Sequence, residues 1–511
     1  CIIKIIKILN KFYIFKPLQA AWSIAMNYII NGRRPENLFH FFEQISAIPR
    51  KSGNENEIAD FICDFAEKRG LEYIRDSHNN VLVRKGAAAG YENHPAVLLQ
   101  GHLDMVCVAE KGSVHDFLKA PLQLISDDEW LYADGTTLGA DDGAGVAAML
   151  AVLDDETLVH PEIECLFTTE EETGMTGAMN FDASEIRASA MLNLDSEEEG
   201  VAIIGCAGGA DVNVRIESDY VDLYGKCLTV AVGGFAGGHS GSDIDKERIN
   251  AITLTARLLS SLYSKMPFNL ISLEAGTVNN AIPSDAEAVI SVSDEASAVS
   301  FLEDAFNRAE SDAGGYIKIK KTGSAGFTRT KMHTFKSTSR LLSFINLAPC
   351  GVIRRNKQDF VFPEASSNLA SVHMSDGGAV DIAFLIRSAL DVTMDSMAAK
   401  FETLARLTGG VVTVSGKYPG WAPVYKTPLQ NLFINEYKKL FPEASEPVLM
   451  PIHAGLECGV IYSKIVSCRG VGIDVISIGP EIRDIHTPEE RLSLDSFERF
   501  WQLVTSMLEK L

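Results

Sequence analysis

Ala96-Val-Leu-Leu-Gln-Gly-His-Leu-Asp104 is a short apolar run that ends in a histidine and, two residues on, an aspartate. A run of this length reads as a buried strand. Three more runs end in the same way. Residues 163–167 lead into Thr168-Thr-Glu-Glu-Glu-Thr-Gly174, residues 190–194 lead to Asp195, and residues 474–478 lead through a loop to His486. Helical text lies between the runs. Ile58, Phe61, Ile62 and Phe65 recur at helical spacing before Gly70, and residues 143–153 are small and apolar, as in a buried helix. This alternation predicts an α/β unit with a mostly parallel central sheet. In open parallel sheets, sites form beyond the carboxyl ends of the strands, so the four strand ends can converge.

Outward from these runs the text changes near residue 209. Gly-rich turns, an alternating segment at 227–232 and an amphipathic helix at 250–262 continue to about residue 420. A second α/β stretch follows, with a helix over 429–440 and a strand near 475–478. The expected organisation is a catalytic unit in two parts, 26–208 and 421–511, interrupted by an inserted α+β lid over 209–420. An insert of that size is large for one small lid and could hold two. Residues 1–25 alternate isoleucine with lysine and contain no methionine, the first being Met26. They read as an upstream leader carried through in frame, with a weak signal peptide as the rival.

At 511 residues the chain exceeds one compact core. It carries 46 basic and 68 acidic residues, a net −22, which argues against nucleic acid or an anionic membrane as a partner, because phosphate binding wants a clustered basic face. Nine scattered cysteines form no CxxC pair, so neither a disulfide framework nor a thiolate zinc site is expected, and the pattern suits a reducing, cytoplasmic compartment.

A fifth element, Leu138-Gly-Ala-Asp-Asp-Gly143, precedes the small-residue helix, and an aspartate there can bridge two cations. Two histidines with three carboxylates can hold a pair of divalent ions. Imidazole with carboxylate suits zinc, and cobalt or manganese also fit. Taken singly, each residue has a plainer reading. Glu170-Glu171-Glu172 reads as a solvated acidic run, Asp141-Asp142 as a helix cap, and His486 as a loop residue before a helix start at Thr487-Pro-Glu-Glu490. The case rests on their ordered conjunction at strand ends.

That conjunction resembles a known family. Gly101-His-Leu-Asp-Met-Val106, Gly135-Thr-Thr-Leu-Gly-Ala-Asp141, Glu171-Glu172-x-Gly174-Met175, Asp195-Ser-Glu-Glu-Glu-Gly200, Gly237-Gly-His-Ser-Gly241, Asn280-Ala-Ile-Pro283, His453-Ala-Gly-Leu-Glu-Cys-Gly459 and His486-Thr-Pro-Glu resemble the aminoacyl-histidine dipeptidases. These are bacterial cytosolic, carnosinase-like members of the zinc aminoacylase and carboxypeptidase superfamily. The resemblance covers about residues 35–511.

It implies a di-zinc peptidase that hydrolyses dipeptides with a free N-terminus. Asp141 would bridge the two metals, His102 and Asp195 would complete one site, and Glu172 and His486 the other. Glu171 would be the general base, acting on the attacking water and then on the leaving amine. Asp104 would orient His102, and a cis peptide is expected at Asp141–Asp142. His239 would be an oxyanion donor from the lid, supplied in cis by a doubled lid. Asn280 and Arg387 would hold the substrate carboxylate, although Arg387 also reads as a structural charge at a strand edge. Glu457 would receive the substrate amine. Relatives that remove acyl groups often carry glutamate at the position of Asp195, so the aspartate favours a peptidase. An N-acyl-amino-acid deacylase or a tripeptidase with the same site is the alternative. Glu170 extends the usual acidic pair to three, and the spacing to Gly174-Met175 favours Glu171 as base and Glu172 as ligand. The family admits a homodimer.

Overall fold

The computed structural model describes residues 28–309, 315–322, 328–357, 362–375 and 378–511. The leader expected at residues 1–25 lies outside the described residues.

The apolar runs that end in candidate ligands lie side by side. An eight-stranded sheet runs Glu72–Arg75, Val81–Lys85, Ile163–Thr168, Val97–His102, Ala190–Asn193, Asp474–Ser477, Val201–Cys206, Val448–Ile452. Its centre is parallel: Val97–His102 pairs in parallel with both Ile163–Thr168 and Ala190–Asn193, and Asp474–Ser477 pairs in parallel with Ala190–Asn193. The antiparallel pairs lie toward the flanks. Every residue of the strands Val97–His102 and Ile163–Thr168 is buried, which is why their sequences are continuous rather than alternating. The helices Glu36–Ser46, Ala140–Asp154 and Leu494–Leu508 pack one face of this sheet, through Phe39, Phe42, Met149, Leu150, Phe497 and Val504. The helix Asn56–Arg69 stops at Gly70, which adopts the left-handed conformation that such a stop favours.

The inserted segment forms a different sheet. Among the described residues its ten strands lie between Gly208 and Tyr418 and pair antiparallel. One half centres on Tyr220–Gly233 and Ala286–Val292, the other on Pro363–Met374 and Ala379–Ser388. The halves join where Asn269–Ala275 meets Pro363–Met374 through the single pair Ala275↔Val372. Helices Ala251–Lys265, Glu295–Ala309, Phe335–Leu347 and Asp391–Thr408 contribute Leu258, Leu302, Leu341 and Phe401 to one apolar core with this sheet. The alternation of burial along Gly208–Glu217 fits a sheet covered on one face.

A small sheet, Ile482–Arg483, Arg491–Ser493, Trp130–Ala133 and Leu124–Ser126, carries His486. Here the structure corrects the sequence reading. Thr487–Glu490 starts no helix; it is the tip of a hairpin between Ile482–Arg483 and Arg491–Ser493, and His486 itself has a positive φ of 62°. Among the described residues no helix is long and apolar enough to cross a membrane, and no disulfide joins the described cysteines.

Candidate active site

Asp141 lies between two histidines. One carboxylate oxygen is 3.0 Å from His102 Nε2 and the other is 3.1 Å from His486 Nε2. Asp195 Oδ1 also faces His102 Nε2 at 3.4 Å, and Glu172 Oε2 faces His486 Nε2 at 3.2 Å. The five residues that the sequence singled out as ligands therefore form one chain of facing atoms, Asp195, His102, Asp141, His486 and Glu172, drawn from three strand ends, one helix start and the hairpin of the small sheet. Atoms of His102, Asp141 and Glu172 lie within 4.8 Å of one another. Glu172 Oε1 is buried and has no hydrogen-bond partner.

Local sequence explains this convergence. His102 is the last residue of its strand, and its backbone N–H donates to Asp142 Oδ2 at 3.1 Å. Gly101 has no side chain for good reason: a Cβ there would collide with the Asp142 carboxylate. Asp142 Oδ1 accepts the Gly145 N–H at 3.0 Å, so Asp142 performs the capping role while Asp141 is turned toward the histidines. The peptide bond between the two aspartates is cis, as the family resemblance implied. Asp104 is fully buried and does more than orient His102. It lies 3.4 Å from His102 Nδ1, and its two oxygens accept the backbone N–H groups of Glu171 and Glu172 at 3.0 and 3.2 Å. Asp104 thus holds the imidazole, through its backbone carbonyl 3.2 Å from Nδ1 as well as its carboxylate, and the acidic turn together. Glu170 has a positive φ and its N–H donates to Glu55 Oε1 at 3.0 Å.

Charges in the cluster perturb one another. Burial would raise the Asp141 carboxyl, but the facing His102 and His486 rings outweigh it and hold it well below the usual range. Burial, together with the nearby Asp195, Glu457 and Glu172 carboxylates, pushes Glu171 well above the usual range. Asp195 is pushed up to about 6, first by burial. Glu197, two residues on, rises to about 8, through burial and then the fields of Asp141 and Asp195.

The inserted segment holds a second group of the sequence-predicted residues. The short pair Gly238–His239 with Ala281–Ile282 brings Asn280 beside His239, and the Ser240 N–H donates to the Asn280 carbonyl at 2.7 Å. His239 Nδ1 accepts the N–H groups of Gly241 and Ser242, each at 3.3 Å. Burial and Arg387 lower its pKa. The ring is then neutral with its hydrogen on Nε2, a donor. Arg387 is 5% exposed, with its Nε buried and unpartnered. Glu457 is fully buried. Its Oε2 accepts Gln100 Nε2 at 2.6 Å and Thr168 Oγ1 at 2.5 Å, bracing two strands beneath the ligands.

Two contributors escaped the sequence reading, and His453 entered it only as the start of a motif. Glu490, at the end of the hairpin tip, accepts the backbone N–H groups of Leu138, Gly139 and Ala140 at 2.9, 3.0 and 2.7 Å, and that of Asp141 at 3.4 Å. Arg50, 1% exposed, donates to the carbonyls of Leu103 and Asp104 at 3.0 Å and to that of Gly139. His453 packs in the same region, its Nε2 2.6 Å from Ser366 Oγ. Removing the Glu490 carboxylate strands several buried donors. Glu490→Ala is therefore expected to cost about 2–4 kcal/mol, read as a lower urea midpoint, with Glu490→Gln losing less because it keeps one acceptor oxygen.

These features agree with what the chain is similar to. The model of peptidase family M20/M25/M40 matches residues 98–510. The chain is 36% identical over 484 residues to the cytosol non-specific dipeptidase of Escherichia coli K12, covering 93% of this chain and 98% of that protein. Among solved structures, the aminoacylhistidine dipeptidase from Vibrio alginolyticus superposes with a TM-score of 0.84 at 31% identity, covering 94% of this chain and 97% of that one. Aminopeptidase PepT from Bacillus cereus shares the fold, with a TM-score of 0.54 at 19% identity over 94% of this chain and 99% of that one. By the extent of these matches, the chain belongs to peptidase family M20/M25/M40 and is a hydrolase of peptide bonds.

Proposed function

We propose that the chain is a cytoplasmic dipeptidase that needs two divalent metal ions and a free substrate N-terminus, with zinc as the metal and cobalt or manganese as substitutes. The observation that carries this reading is Asp141, with one oxygen toward each of two imidazoles. The donor set fits cations. His102 Nε2 faces two carboxylate oxygens, and one N–H satisfies only one of them, whereas a cation satisfies both. The unpartnered Glu172 Oε1 is a further free donor atom. Asp141 would serve both ions, with His102 and Asp195 on one and Glu172 and His486 on the other.

When bound, the ions supply Lewis acidity, polarising the scissile carbonyl and making water nucleophilic near neutral pH. The chain's own groups do the rest. Glu171, its carboxyl raised by burial, takes the proton of the attacking water as the C–O bond forms. It returns that proton to the amine as the C–N bond breaks. The His239 Nε2–H donates to the carbonyl oxygen as negative charge develops there. Arg387 and Asn280 receive the terminal carboxylate, the guanidinium as a planar donor. Glu457 would receive the substrate amine through its buried, unpartnered Oε1, while its Oε2 is held by Gln100 and Thr168.

Names of the similar proteins support dipeptides as substrates: one is a non-specific dipeptidase of the cytosol, the other an aminoacylhistidine dipeptidase. A panel of dipeptides, tripeptides and N-acetylated amino acids, assayed with and without chelator, tests the reading. Chelator-sensitive cleavage of the free-amine dipeptides is expected. Cleavage of only the acetylated set would make the enzyme a deacylase, and cleavage of only tripeptides a tripeptidase.

A further inference from the structure

The lid sheet brings two long side chains together over a glycine. Arg387 pairs with Gly209, and on the other side of the same strand Gly209 pairs with Tyr418. Residues directly opposite one another share a face of the sheet, so Arg387 and Tyr418 stand on one face, two strands apart. That separation is about 9–10 Å, more than adjacent cross-strand partners must span. The gap closes because nothing stands between them. Arg387 Nη1 donates to the Tyr418 hydroxyl at 3.0 Å. A Cβ on Gly209 would lie 2.6 Å from that hydroxyl and displace it.

The strand Gly410–Tyr418 is bent to make this pairing. Its register slips between Ser415 and Tyr418, where three steps along it match two along its partner, with Gly416 at φ +59°. Such a bulge re-aims the side chains that follow it. Without the extra residue, the side chain at 418 would point to the other face. Tyr418 also packs against the loop after His453, where a Cβ on Gly455 would lie 2.9 Å from its ring. Strand, bulge and loop together hold a phenol against a guanidinium whose Nε is buried and unpartnered.

We propose that Tyr418 is a positioning residue for substrate selection: it fixes the plane of the Arg387 guanidinium and presents its own O–H to the same substrate carboxylate, so that the pair selects peptides with a free C-terminus. A phenol oxygen can accept the arginine N–H and still donate its hydrogen. Held at one corner, the guanidinium loses rotamer freedom before substrate arrives, and the preorganised fork binds a carboxylate more tightly. This rests on the reading that Arg387 receives the terminal carboxylate.

The test uses the metal-loaded full chain and two probes, Ala-His and Ala-His amide, which differ only in the terminal group. The readout is the ratio of kcat/KM for acid over amide. Tyr418→Phe keeps the ring and should lower that ratio about tenfold, as expected for one hydrogen bond to a charged group, with the change mainly in KM for the acid. Gly209→Ala should shift the ratio in the same direction by displacing the hydroxyl. Arg387→Ala is the control. If it collapses the ratio while Tyr418→Phe leaves it within about twofold of the unaltered enzyme, where one lost hydrogen bond should exceed that, the positioning role is overturned. If Arg387→Ala itself leaves the ratio intact, the carboxylate reading of Arg387 fails, and the role of Tyr418 falls with it.

Discussion

Glu171→Gln is expected to lower kcat by about 10²- to 10⁴-fold, the range associated with a positioned general base, while both metal ions stay bound. Retention is expected because the backbone of the acidic turn is anchored by Asp104, which accepts the N–H groups of residues 171 and 172 regardless of the side chain at 171. Glu172 then keeps its place 3.2 Å from His486 Nε2. The amide is nearly the shape of the carboxyl but cannot take a proton from water. Elemental analysis beside steady-state kinetics separates the two effects. Turnover near that of the unaltered enzyme would remove Glu171 from the proton-transfer role, and loss of metal would make it a ligand instead.

Asp141→Ala is expected to fail differently, losing metal and activity together. Its two oxygens face one ring each, His102 on one side and His486 on the other. The backbone at Asp141 is held in line by its N–H facing Glu490 and by the Asp142 cap one residue later, so truncation removes the carboxylate from a fixed position. Ligand binding stabilises a fold by RT ln(1 + [L]/Kd), about 4 kcal/mol for one site at a thousandfold excess over Kd. The unaltered protein should therefore melt at a higher temperature with added zinc, and Asp141→Ala should lose most of that increment. An undiminished zinc-dependent rise, with two ions still bound per chain, would break the bridging assignment.

The candidate ligands were legible because each sits where a local pattern ends. A buried strand announces itself as a continuous apolar run, and the residue after it falls at the sheet's carboxyl edge. His102, Glu172 and Asp195 follow this rule and Asp141 opens a small-residue helix, whereas His486 lies beyond the strand Asp474–Ser477 in a hairpin of the small sheet. Helix limits were similarly plain, as with Gly70 after Arg69 and Asn250 before Ala251. What was not legible depends on partners remote in sequence. Glu490 acts through backbone N–H groups some 350 residues away, and backbone donors leave no mark in the side-chain text. The same residue misled the local reading, since Thr-Pro-Glu-Glu looks like a helix start but forms a hairpin tip. Tyr418 reaches Arg387 only because a bulge shifts one strand, and a register slip of one residue is invisible without the neighbouring strand. Glu457 stands at the start of a helix where an exposed carboxylate is ordinary, and only the crossing of that helix under Gln100 and Thr168 shows it to be fully buried.

The central claim is that hydrolysis depends on two ions held around Asp141. Its most direct test is to strip the protein with a chelator, return zinc stepwise, and follow Ala-His hydrolysis against bound metal per chain. Activity that is absent in the stripped protein and restored only as the second equivalent binds is the predicted result. Full turnover in the metal-free protein, or activity that saturates with no zinc bound, would contradict it.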